Sequence, residues 1–591
     1  MTPASSRRLH GVAGGRVATL SLLERAAVLR QLARAVLAWQ RHDTRHPSPL
    51  PDDPRFMDAR SAAALIRDGD VVACSGLGGN QRASILYWAI REAFEETGHP
   101  ANLTVINLGG HGGRGRAPGT IEELGRDGLC TRLITGHCET FHAMLDLAAR
   151  GRCALQCIPQ GTLALLLDGL GRGETTLLSE TGIGTFIDPR VGPGSPVAGT
   201  TDEQLVEVAG RQLRYRIPPV DVAIFNAPAA DRHGNIYVRH CSMIGETGEI
   251  ARAARRNGGR VIANVGRLVP HDASRVYLPA DMVDAVVVYP DAEQTSAVFH
   301  REPWLAVTTD ADGAIGPALA RARFVNRLVG LTARRTPVDA AVARLAAATL
   351  CAVSEPGAYV NIGTGLPEEI PAVVFEAGGL GRVTFLVESG PVGGVPASGI
   401  YFGAAIAPEQ ILSSAELFRL CYDRLDVTCL GALQVDAEGN VNVSQRGKGP
   451  RHFVGPGGFI DLSTAAKTVL FVCHWANRGT MAIERGRLRV VRRGDPKFVP
   501  RVDQITFNGR RALAAGKRVF WATPVGLMRL TRRGVELVAV MPGIDPRRDV
   551  VDASGGVVRL PMDDEVRTLP SSLLGGSDYT LRDGGPLRGW L

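Results

Sequence analysis

The chain has 591 residues, of which 45 % are hydrophobic and 21 % are charged, a balance typical of a folded globular protein with two to four domains. Glycine is abundant, at 70 residues, but it follows no Gly-X-Y period and forms no long Gly/Ser linker, which excludes a collagen-like or disordered chain. No stretch approaches 18 uncharged apolar residues, so we expect no membrane-spanning segment and no membrane partner.

The formal net charge of +8 is concentrated in two regions. Residues 1–60 contain ten Arg and five acidic residues, and residues 485–548 contain sixteen Lys or Arg and four acidic residues, so the remainder of the chain is net acidic. No zinc-finger, basic-zipper or RNA-binding signature accompanies this charge. We therefore predict no nucleic-acid partner.

The ten Cys residues have no disulfide-framework spacing, which indicates reduced thiols in an intracellular protein. The N-terminus shows no secretory signal, and we expect a cytoplasmic location. One group of residues comes nearest to a metal-binding pattern, but its spacing fits no zinc template: His137, Cys138, His142, Cys153 and Cys157. We predict no metal site.

In chain order, the first segment is a basic N-terminal extension. Apolar residues between Leu20 and Leu37 recur at helical spacing and are followed by the Pro-rich HPSPLPDDP, which predicts one amphipathic helix. The whole chain divides into the extension, a first domain, a linker, a second domain and a variable tail, with these predicted limits: 1–58, 59–304, 305–337, 338–548 and 549–591.

Three motifs occur twice in the same order, once in each predicted domain. They are a strand with a glycine loop, a β-rich run that ends in two glycines, and an Asp-x-x-Gly-Asn turn: 68–79 and 356–367, 103–113 and 383–394, 231–238 and 436–443. Strands that alternate with helical patterns indicate βαβ units. We predict an α/β fold of two homologous open domains with mainly parallel sheets and a site at their interface.

One acidic residue distinguishes the second half from the first. The aligned β-runs place Leu108 opposite Glu388, which follows the apolar run Val383–Val387 and precedes a Ser-Gly-Pro loop. Burial at the exit of such a strand raises the pKa of a carboxyl group and removes its hydration. On position alone, Glu388 is either a reactive carboxylate or a solvated residue at the end of a strand.

The segment LVESGPVGGVP around Glu388 resembles the active-site segment of family I CoA-transferases, in which the glutamate of an E-[SN]-G motif is the nucleophile. Further segments are similar to the fused single-chain acetate/propionate and 3-oxoacid CoA-transferases and follow their order: PQGTLALLLDGLGRG, GTFIDPR, VNIGTGLP, FGAAIAPEQIL, QVDAEGNVNVS, GPGGFIDLS, QITFNG and PGIDPRRDV. The resemblance covers nearly the whole chain beyond residue 58. The N-terminal extension and the tail depart from the family pattern.

The resemblance implies an enzyme that transfers CoA from a short-chain acyl-CoA to an acceptor carboxylate through a glutamyl-CoA thioester on Glu388, with ping-pong kinetics. The resemblance also implies that no metal and no tightly bound cofactor are required, because the exchange is nearly isoenergetic. Coenzyme A is expected to be both substrate and covalent intermediate. The implied partners are acyl-CoA and small carboxylic acids. The family also implies a homo-oligomer, either a dimer or a tetramer.

Other site residues are implied by matching motifs. Gly457 and Gly458 match the loop that donates N–H groups to the thioester oxygen, and Asn107 aligns roughly with an oxyanion-side Asn. The residues expected to line the acyl pocket or to let backbone approach the substrate are Gln160, Gly363 and Gly365. For the CoA phosphates we favour Arg446 and Lys448. The arginine-rich stretch 484–494 is instead predicted to be an exposed hairpin.

Three alternatives stay open. An acyl-CoA hydrolase would use the same Glu388 but let water resolve the thioester. A nicotinamide-dependent oxidoreductase rests on Gly76-x-Gly78-Gly79, which lacks the full GxGxxG pattern and the acidic residue that closes a following strand. A non-catalytic scaffold requires that Glu388 be inert.

Overall fold

The computed structural model describes residues 15, 17, 19–38, 40–46, 51–113, 117–199, 201, 203–295, 298–332, 334–563 and 565–591. Its helices are α1 (Leu22–Ala38), α2 (Ala59–Ala63), α3 (Ser84–Thr97), α4 (His142–Ala149), α5 (Gln160–Arg172), α6 (Thr247–Arg256), α7 (Ile315–Val329), α8 (Pro337–Val353), α9 (Ile370–Glu376), α10 (Ser414–Arg424), α11 (Phe459–Ala465), α12 (Gly509–Ala514) and α13 (Ser572–Gly575). Within the described ranges, no helix combines the length and the apolar character needed to cross a membrane.

The first half of the chain builds a sheet whose central strands are all parallel. Its strands are β1 (Val71–Cys74), β2 (Leu103–Asn107), β3 (Cys130–Thr135), β4 (Ala154–Cys157), β5 (Leu177–Ser179), β6 (Pro196–Ala198), β7 (Val206–Ala209), β8 (Gln212–Tyr215), β9 (Val222–Ala230), β10 (Ile236–Tyr237), β11 (Arg260–Leu268), β12 (Ala285–Val288), β13 (Glu293–Thr295) and β14 (Val298–Phe299). The sheet has the order β12-β11-β9-β1-β2-β3-β4-β6, and β10 extends it antiparallel to β9. A small sheet of β5, β8 and β7 stands apart.

The second half builds a larger mixed sheet with a parallel centre. Its strands are β15 (Ala358–Ile362), β16 (Val383–Leu386), β17 (Pro391–Val392), β18 (Val395–Pro396), β19 (Ala405–Ile406), β20 (Gln410–Ile411), β21 (Leu425–Leu430), β22 (Gln434–Val435), β23 (Val441–Asn442), β24 (Thr468–Val472), β25 (Ala476–Asn477), β26 (Thr480–Glu484), β27 (Arg487–Arg492), β28 (Asp495–Pro496), β29 (Arg518–Thr523), β30 (Gly526–Thr531), β31 (Gly534–Val540), β32 (Val558–Arg559) and β33 (Arg567–Thr568). The order is β20-β17-β16-β15-β21-β24-β29-β30-β31-β32, with β33 beside β31.

The centres of the two sheets share one topology, which confirms the predicted α/β class with mainly parallel sheets. The triplet β9-β1-β2 of the first sheet and the triplet β21-β15-β16 of the second are both parallel, and a glycine loop follows the middle strand of each. Every residue of β9 and of β24 is buried, because helices cover both faces of a parallel sheet. The internal repeat seen in the sequence is therefore a repeat of structure.

Both predicted Asp-x-x-Gly-Asn turns form, and they form in the same way. In each turn the backbone N–H of the Asp donates to the carbonyl oxygen of the Asn at 3.0 Å. The carboxylates of Asp231 and Asp436 in turn accept the backbone N–H of Asn235 and Asn440, also at 3.0 Å. These bonds satisfy the polar groups of the tight turn and join β9 to β10 and β22 to β23.

The segments outside the two sheets also pack against them. The predicted amphipathic helix of the extension is α1, in which Val28 and Ala35 are buried. The predicted linker contains α7, which buries Ile315 and Leu319. The tail adds β32 and β33 to the second sheet and places α13 against α8. The exact domain limits stay a prediction.

Buried polar contacts join the two halves close to their glycine loops. Glu246 of the first half contacts the Ser414 hydroxyl, Glu249 contacts the Ser413 hydroxyl, and the Ser414 N–H donates to the Gly245 carbonyl at 2.9 Å. Glu246 also accepts the N–H of Gly76, the first residue of the glycine loop after β1, at 3.2 Å. The loops of the first half are thus fixed relative to the second half.

Candidate active site

A cavity of about 720 Å³ lies where the loops of the two halves meet. The first half contributes the glycine loop after β1, the loop after β2 and the segment around His137, which follows β3. The second half contributes the loops that follow β15, β16 and β21 and the segment 454–459 before α11. The carboxyl ends of parallel strands form the walls, as is usual for a ligand site in an open α/β fold.

Glu388 lies at this cavity on a tight turn after β16. The Val387 N–H donates to the Pro391 carbonyl at 2.9 Å, the Gly390 N–H donates to the Val387 carbonyl at 2.8 Å, and the Ser389 hydroxyl contacts the Gly403 carbonyl. Gly390 adopts a φ of +125°, which favours glycine, and a Cβ there would overlap the Leu412 carbonyl. The turn therefore fixes Glu388 at the cavity with its polar backbone satisfied.

Burial and, as a smaller contribution, the negative charge of Asp461 raise the pKa of Glu388 from 4.5 to about 7. The backbone N–H of Gly458, which lies close to the carboxylate, opposes this rise, because a nearby N–H donor favours the charged form. The raised pKa expected from the position of Glu388 is confirmed. Near neutral pH this carboxyl group changes readily between its acid and its anion.

The loop 455–458 contacts Glu388 through Gly458. A Cβ on Gly458 would overlap Oε2 of Glu388, so glycine is required for the backbone to come this close to the carboxylate. Gly457, the other predicted donor, has its N–H bonded to the Gly136 carbonyl at 2.8 Å. Within this pair, the structure directs only the Gly458 N–H at Glu388, because the Gly457 N–H serves the contact between the two halves.

Gln160 lines the same cavity from the first half of the chain. It is the first residue of α5, and its backbone N–H donates to the Gly457 carbonyl at 3.0 Å. Its side-chain Nε2 is buried and has no hydrogen-bond partner among the described residues. A buried donor without a partner disfavours the empty site and favours a ligand that offers an oxygen.

The glycines of the loop after β15 are also at the cavity wall. The Gly363 N–H donates to the Cys429 carbonyl at 2.8 Å, and a Cβ on Gly363 would lie 3.0 Å from Cδ2 of Leu430. Gly365 has a φ of +92°, and its N–H donates to Oε1 of Glu368 at 2.8 Å. Both positions let the backbone form the wall without a side chain.

Asn107 is not brought to the cavity. Its Nδ2 donates to the Cys74 carbonyl at 2.9 Å and lies 3.2 Å from Nδ1 of His111, inside the first sheet. The reason is strand alternation: in the aligned runs Asn107 corresponds to Val387, and Leu108 corresponds to Glu388, so the side chain of Asn107 points to the other face. Its predicted oxyanion role has no geometric support here.

The basic residues at the cavity are only partly those that the sequence indicated. Arg446 lines the cavity and contacts Glu139, whereas Lys448 is exposed and lies outside the cavity wall. Arg335 and Lys497 line it as well, although the sequence analysis did not select them. Arg335 donates to the Gly365 carbonyl at 2.6 Å, and the nearly buried Lys497 donates to the Ala432 carbonyl at 2.9 Å. Nothing in their local sequence marked either residue, because the fold brings them here from distant segments.

A second cavity of about 500 Å³ borders the first at His474, which lines both. Its walls include Arg492, Arg493 and Trp475. The predicted hairpin is present as β26 and β27, and its arginines are exposed to solvent. Arg492 and Arg493 nevertheless face this second cavity.

The His and Cys residues of the nearest metal-like pattern do not assemble. The described residues contain no group of three or more His, Cys, Asp or Glu side chains that could hold a metal ion. All ten Cys are buried free thiols. Burial is the main cause of the raised pKa of the Cys157 thiol, and the charges of Cys138 and Asp461 add to it.

Residues 56–289 match the family described as coenzyme A transferase. This chain belongs to that family and is a CoA-transferase. It is 33 % identical over 516 residues to the caffeate CoA-transferase of Acetobacterium woodii, which covers 84 % of this chain and 93 % of the relative. It is 30 % identical over 511 residues to the acetate CoA-transferase YdiF of Escherichia coli K12, covering 84 % and 91 %.

The fold is also similar to that of solved CoA-transferase structures. The acyl-CoA transferase YdiF of Escherichia coli O157:H7, crystallised as a thioester complex with CoA, is 27 % identical with a TM-score of 0.75, over 89 % of this chain and 98 % of that chain. Its apoenzyme is 26 % identical with a TM-score of 0.75, over 91 % and 99 %. Family membership removes the oxidoreductase and scaffold alternatives, and coenzyme A is a substrate of the family.

Proposed function

We propose that Glu388 is the nucleophile of a ping-pong CoA transfer. Its carboxylate attacks the carbonyl carbon of an acyl-CoA, the C–S bond breaks, and the products are a mixed anhydride on Glu388 and the CoA thiolate. The thiolate then attacks the Glu388 carbonyl, which forms a glutamyl-CoA thioester and releases the first carboxylic acid. A second carboxylate reverses these steps and leaves with CoA.

The single observation that carries this proposal is the position of the Glu388 carboxylate, at the cavity and under the Gly458 N–H. A carboxylate is a weak nucleophile in water because hydration stabilises its charge, and partial burial removes some of that hydration. The N–H of Gly458 is placed to stabilise the oxyanion that develops when a carbonyl is attacked at this point. Gly457 supports this loop through its bond to Gly136.

Gln160 supplies the second contact to the reacting group. Its unpartnered Nε2 is suited to an acyl or carboxylate oxygen, because either would satisfy the buried donor. Gln160 comes from the first half and Glu388 from the second, so the acyl group binds between the two halves. Gly363 and Gly365 form the neighbouring wall, along which the pantetheine chain of the CoA substrate can pass.

Basic side chains at the cavity wall are candidates for binding the phosphates of CoA. Arg335, Arg446 and Lys497 face the cavity, and Lys448 is close to Arg446 in the chain but exposed. Charged donors of this kind bind phosphate oxygens through strong hydrogen bonds. The substrates are an acyl-CoA and a small carboxylic acid, in keeping with the caffeate and acetate named for the relatives. Cytoplasmic location and homo-oligomeric assembly stay predictions.

The test is covalent trapping at Glu388. The protein is incubated with acetyl-CoA in the absence of an acceptor, and its peptides are mapped by mass. We expect CoA to be attached to the peptide that contains Glu388, and the adduct to be removed by hydroxylamine. Turnover that continues while this peptide stays unmodified would refute the role of Glu388.

Two controls sharpen this experiment. Glu388→Gln retains the size of the side chain but should form no adduct and lose activity by at least about 10³-fold, since the covalent route is closed. The products formed from acetyl-CoA are then compared with and without an acceptor acid. Turnover that requires the acceptor and yields the CoA thioester of that acid, with no free CoA, supports the transferase, whereas release of free CoA without an acceptor indicates the hydrolase.

A further inference from the structure

The helix that carries Gln160 begins without an N-cap of its own. The residue before α5 is Pro159, and its side chain has no acceptor to offer the first turn. Asp461 supplies the acceptor from the other half of the chain: Oδ2 accepts the Gly161 N–H at 3.0 Å, and Oδ1 accepts the Thr162 N–H at 2.8 Å. A carboxylate at this end also interacts favourably with the helix dipole. The cap of α5 therefore spans the two halves.

The segment around Asp461 supports the whole start of α5. The Gln160 N–H donates to the Gly457 carbonyl at 3.0 Å, and the Thr162 hydroxyl donates to Oδ1 of Asp461 at 2.8 Å. A Cβ on Gly161 would overlap the ring of Phe418 in α10, so the helix end is tightly packed on its other side too. The position of the Gln160 side chain depends on these contacts, because Gln160 is the first residue of the helix.

Asp461 also acts electrostatically on Glu388. It is buried, its own pKa is raised to about 6, and its charge contributes to the raised pKa of Glu388. The Tyr422 hydroxyl donates to Asp461 at 3.0 Å. Two thiols and two phenols near this pair have pKa values raised by burial, so they stay neutral: Cys157, Tyr215, Cys421 and Tyr422. Charged groups on the cavity wall are Glu139, Arg335, Glu368, Arg446 and Lys497.

We propose that Asp461 is a positioning residue of the CoA-transfer site: it fixes the start of α5, and with it Gln160 of the first half, at the cavity that contains Glu388, and its negative charge acts on Glu388. The inference rests on the proposed role of Glu388. Asp461 does not touch the reacting atoms. It acts through α5 on one of the two groups that do and through space on the other.

The test is the pH dependence of glutamyl-CoA formation in a single turnover with acetyl-CoA. In the wild type the rate falls as pH drops through about 7, because Glu388 must be ionised to attack. In Asp461→Asn the like charge is gone, and we expect this acid limb to move down by about one pH unit. We also expect the maximal rate to fall by about tenfold to a hundredfold, because the first turn of α5, which positions Gln160, is held less firmly.

Arg419→Gln is the matched control. Arg419 of α10 contacts Asp168 of α5, so this variant also breaks an ionic contact between the halves, but at the far end of the helix. We expect its acid limb to coincide with that of the wild type. If both variants lost rate equally and neither shifted the acid limb of the pH profile, Asp461 would have only a structural role. That result would overturn the proposal.

A second variant keeps the proposal testable if Asp461→Asn does not fold. Tyr422→Phe removes one hydrogen bond from the Asp461 carboxylate, so Asp461 takes up a proton at higher pH and repels the Glu388 charge less. The acid limb should move in the same direction by a smaller amount, and an unmoved limb would overturn the proposal. A wild type that forms no adduct would instead refute Glu388 as nucleophile.

Discussion

Glu388 is held where its ionised form is unfavourable, and this has a consequence for stability. Burial and the charge of Asp461 raise the pKa of Glu388 from 4.5 to about 7 in the folded protein. The folded state therefore binds this proton more tightly than the unfolded state, and stability falls as pH rises from about 4.5 through 7. The anion that the proposed reaction requires is the form that the fold disfavours.

We expect Glu388→Gln to be more stable than the wild type at pH 8 and equal to it below pH 4.5. The gain is about 1–3 kcal/mol in the free energy of unfolding, since a neutral amide has no charge to desolvate. Melting temperatures at both pH values measure it. Glu355→Gln, at an exposed position, is the control and should change neither value. Equal melting temperatures for Glu388→Gln and wild type at pH 8 would contradict this account.

Residue by residue, the sequence led to Glu388, which the structure places at the cavity, while its role as nucleophile stays a prediction. The resemblance that singled it out could be seen because the segment LVESGPVGGVP is continuous in the chain. The contacts of Asn107, Gly457 and Lys448 depend on which face a side chain takes and on what the neighbouring N–H already binds. Asp461 stood within a quoted motif without a role, because its partner Gly161 is 300 residues away.

At the scale of elements, the loop that leads into α11 is the part that tolerates least change. Gly458→Ala puts a methyl group onto Oε2 of Glu388, so either the carboxylate or the loop must move. A displacement of this size costs about 10²-fold in rate, and we expect a loss of CoA-transfer activity of at least that size.

The control for that substitution is Gly381→Ala, where a Cβ has no atom within 4 Å. Steady-state kcat/KM, compared for both variants with circular dichroism to verify folding, gives the answer. If Gly458→Ala kept the wild-type rate, the close approach of this loop to Glu388 would have no catalytic importance.

The elements themselves follow largely from local patterns. The parallel strands appear as apolar runs because both of their faces are buried, and the Asp-x-x-Gly-Asn turns form from their own residues. The strand order does not follow from such patterns. Nothing local places β6 antiparallel beside β4, or shows that α5 takes its N-cap from α11.

At the scale of the whole molecule, the C-terminal tail belongs to the second half of the protein. The sequence predicted a variable tail that departs from the family pattern, yet Leu573 and Leu581 are fully buried. Arg344 of α8 donates from Nε to the Leu573 carbonyl at 2.7 Å, and the Tyr579 hydroxyl donates to the Arg344 carbonyl at 2.7 Å. These partners are more than 200 residues apart, which is why composition could not reveal them.

We expect Leu573→Ala to destabilise the protein by about 2–4 kcal/mol, because it removes buried methyl groups and leaves a cavity beneath α8. The midpoint of urea unfolding measures the loss. Met562→Ala in the same tail is the matched control, since 85 % of Met562 is exposed, and it should leave the midpoint unchanged. Equal midpoints for the two variants would mean that the tail is dispensable for stability.

The contact between Asp461 and α5 also bears on how substrates exchange. A hinge motion that parted the two halves would leave the first turn of α5 with free N–H groups and expose the buried Asp461 and the partly buried Glu388 to solvent in the same step. In the proposed mechanism, each opening would hydrate Glu388 and let water reach its thioester. A protein that stays closed between the proposed half-reactions would protect this intermediate and exchange the two acids through the mouth of the existing cavity.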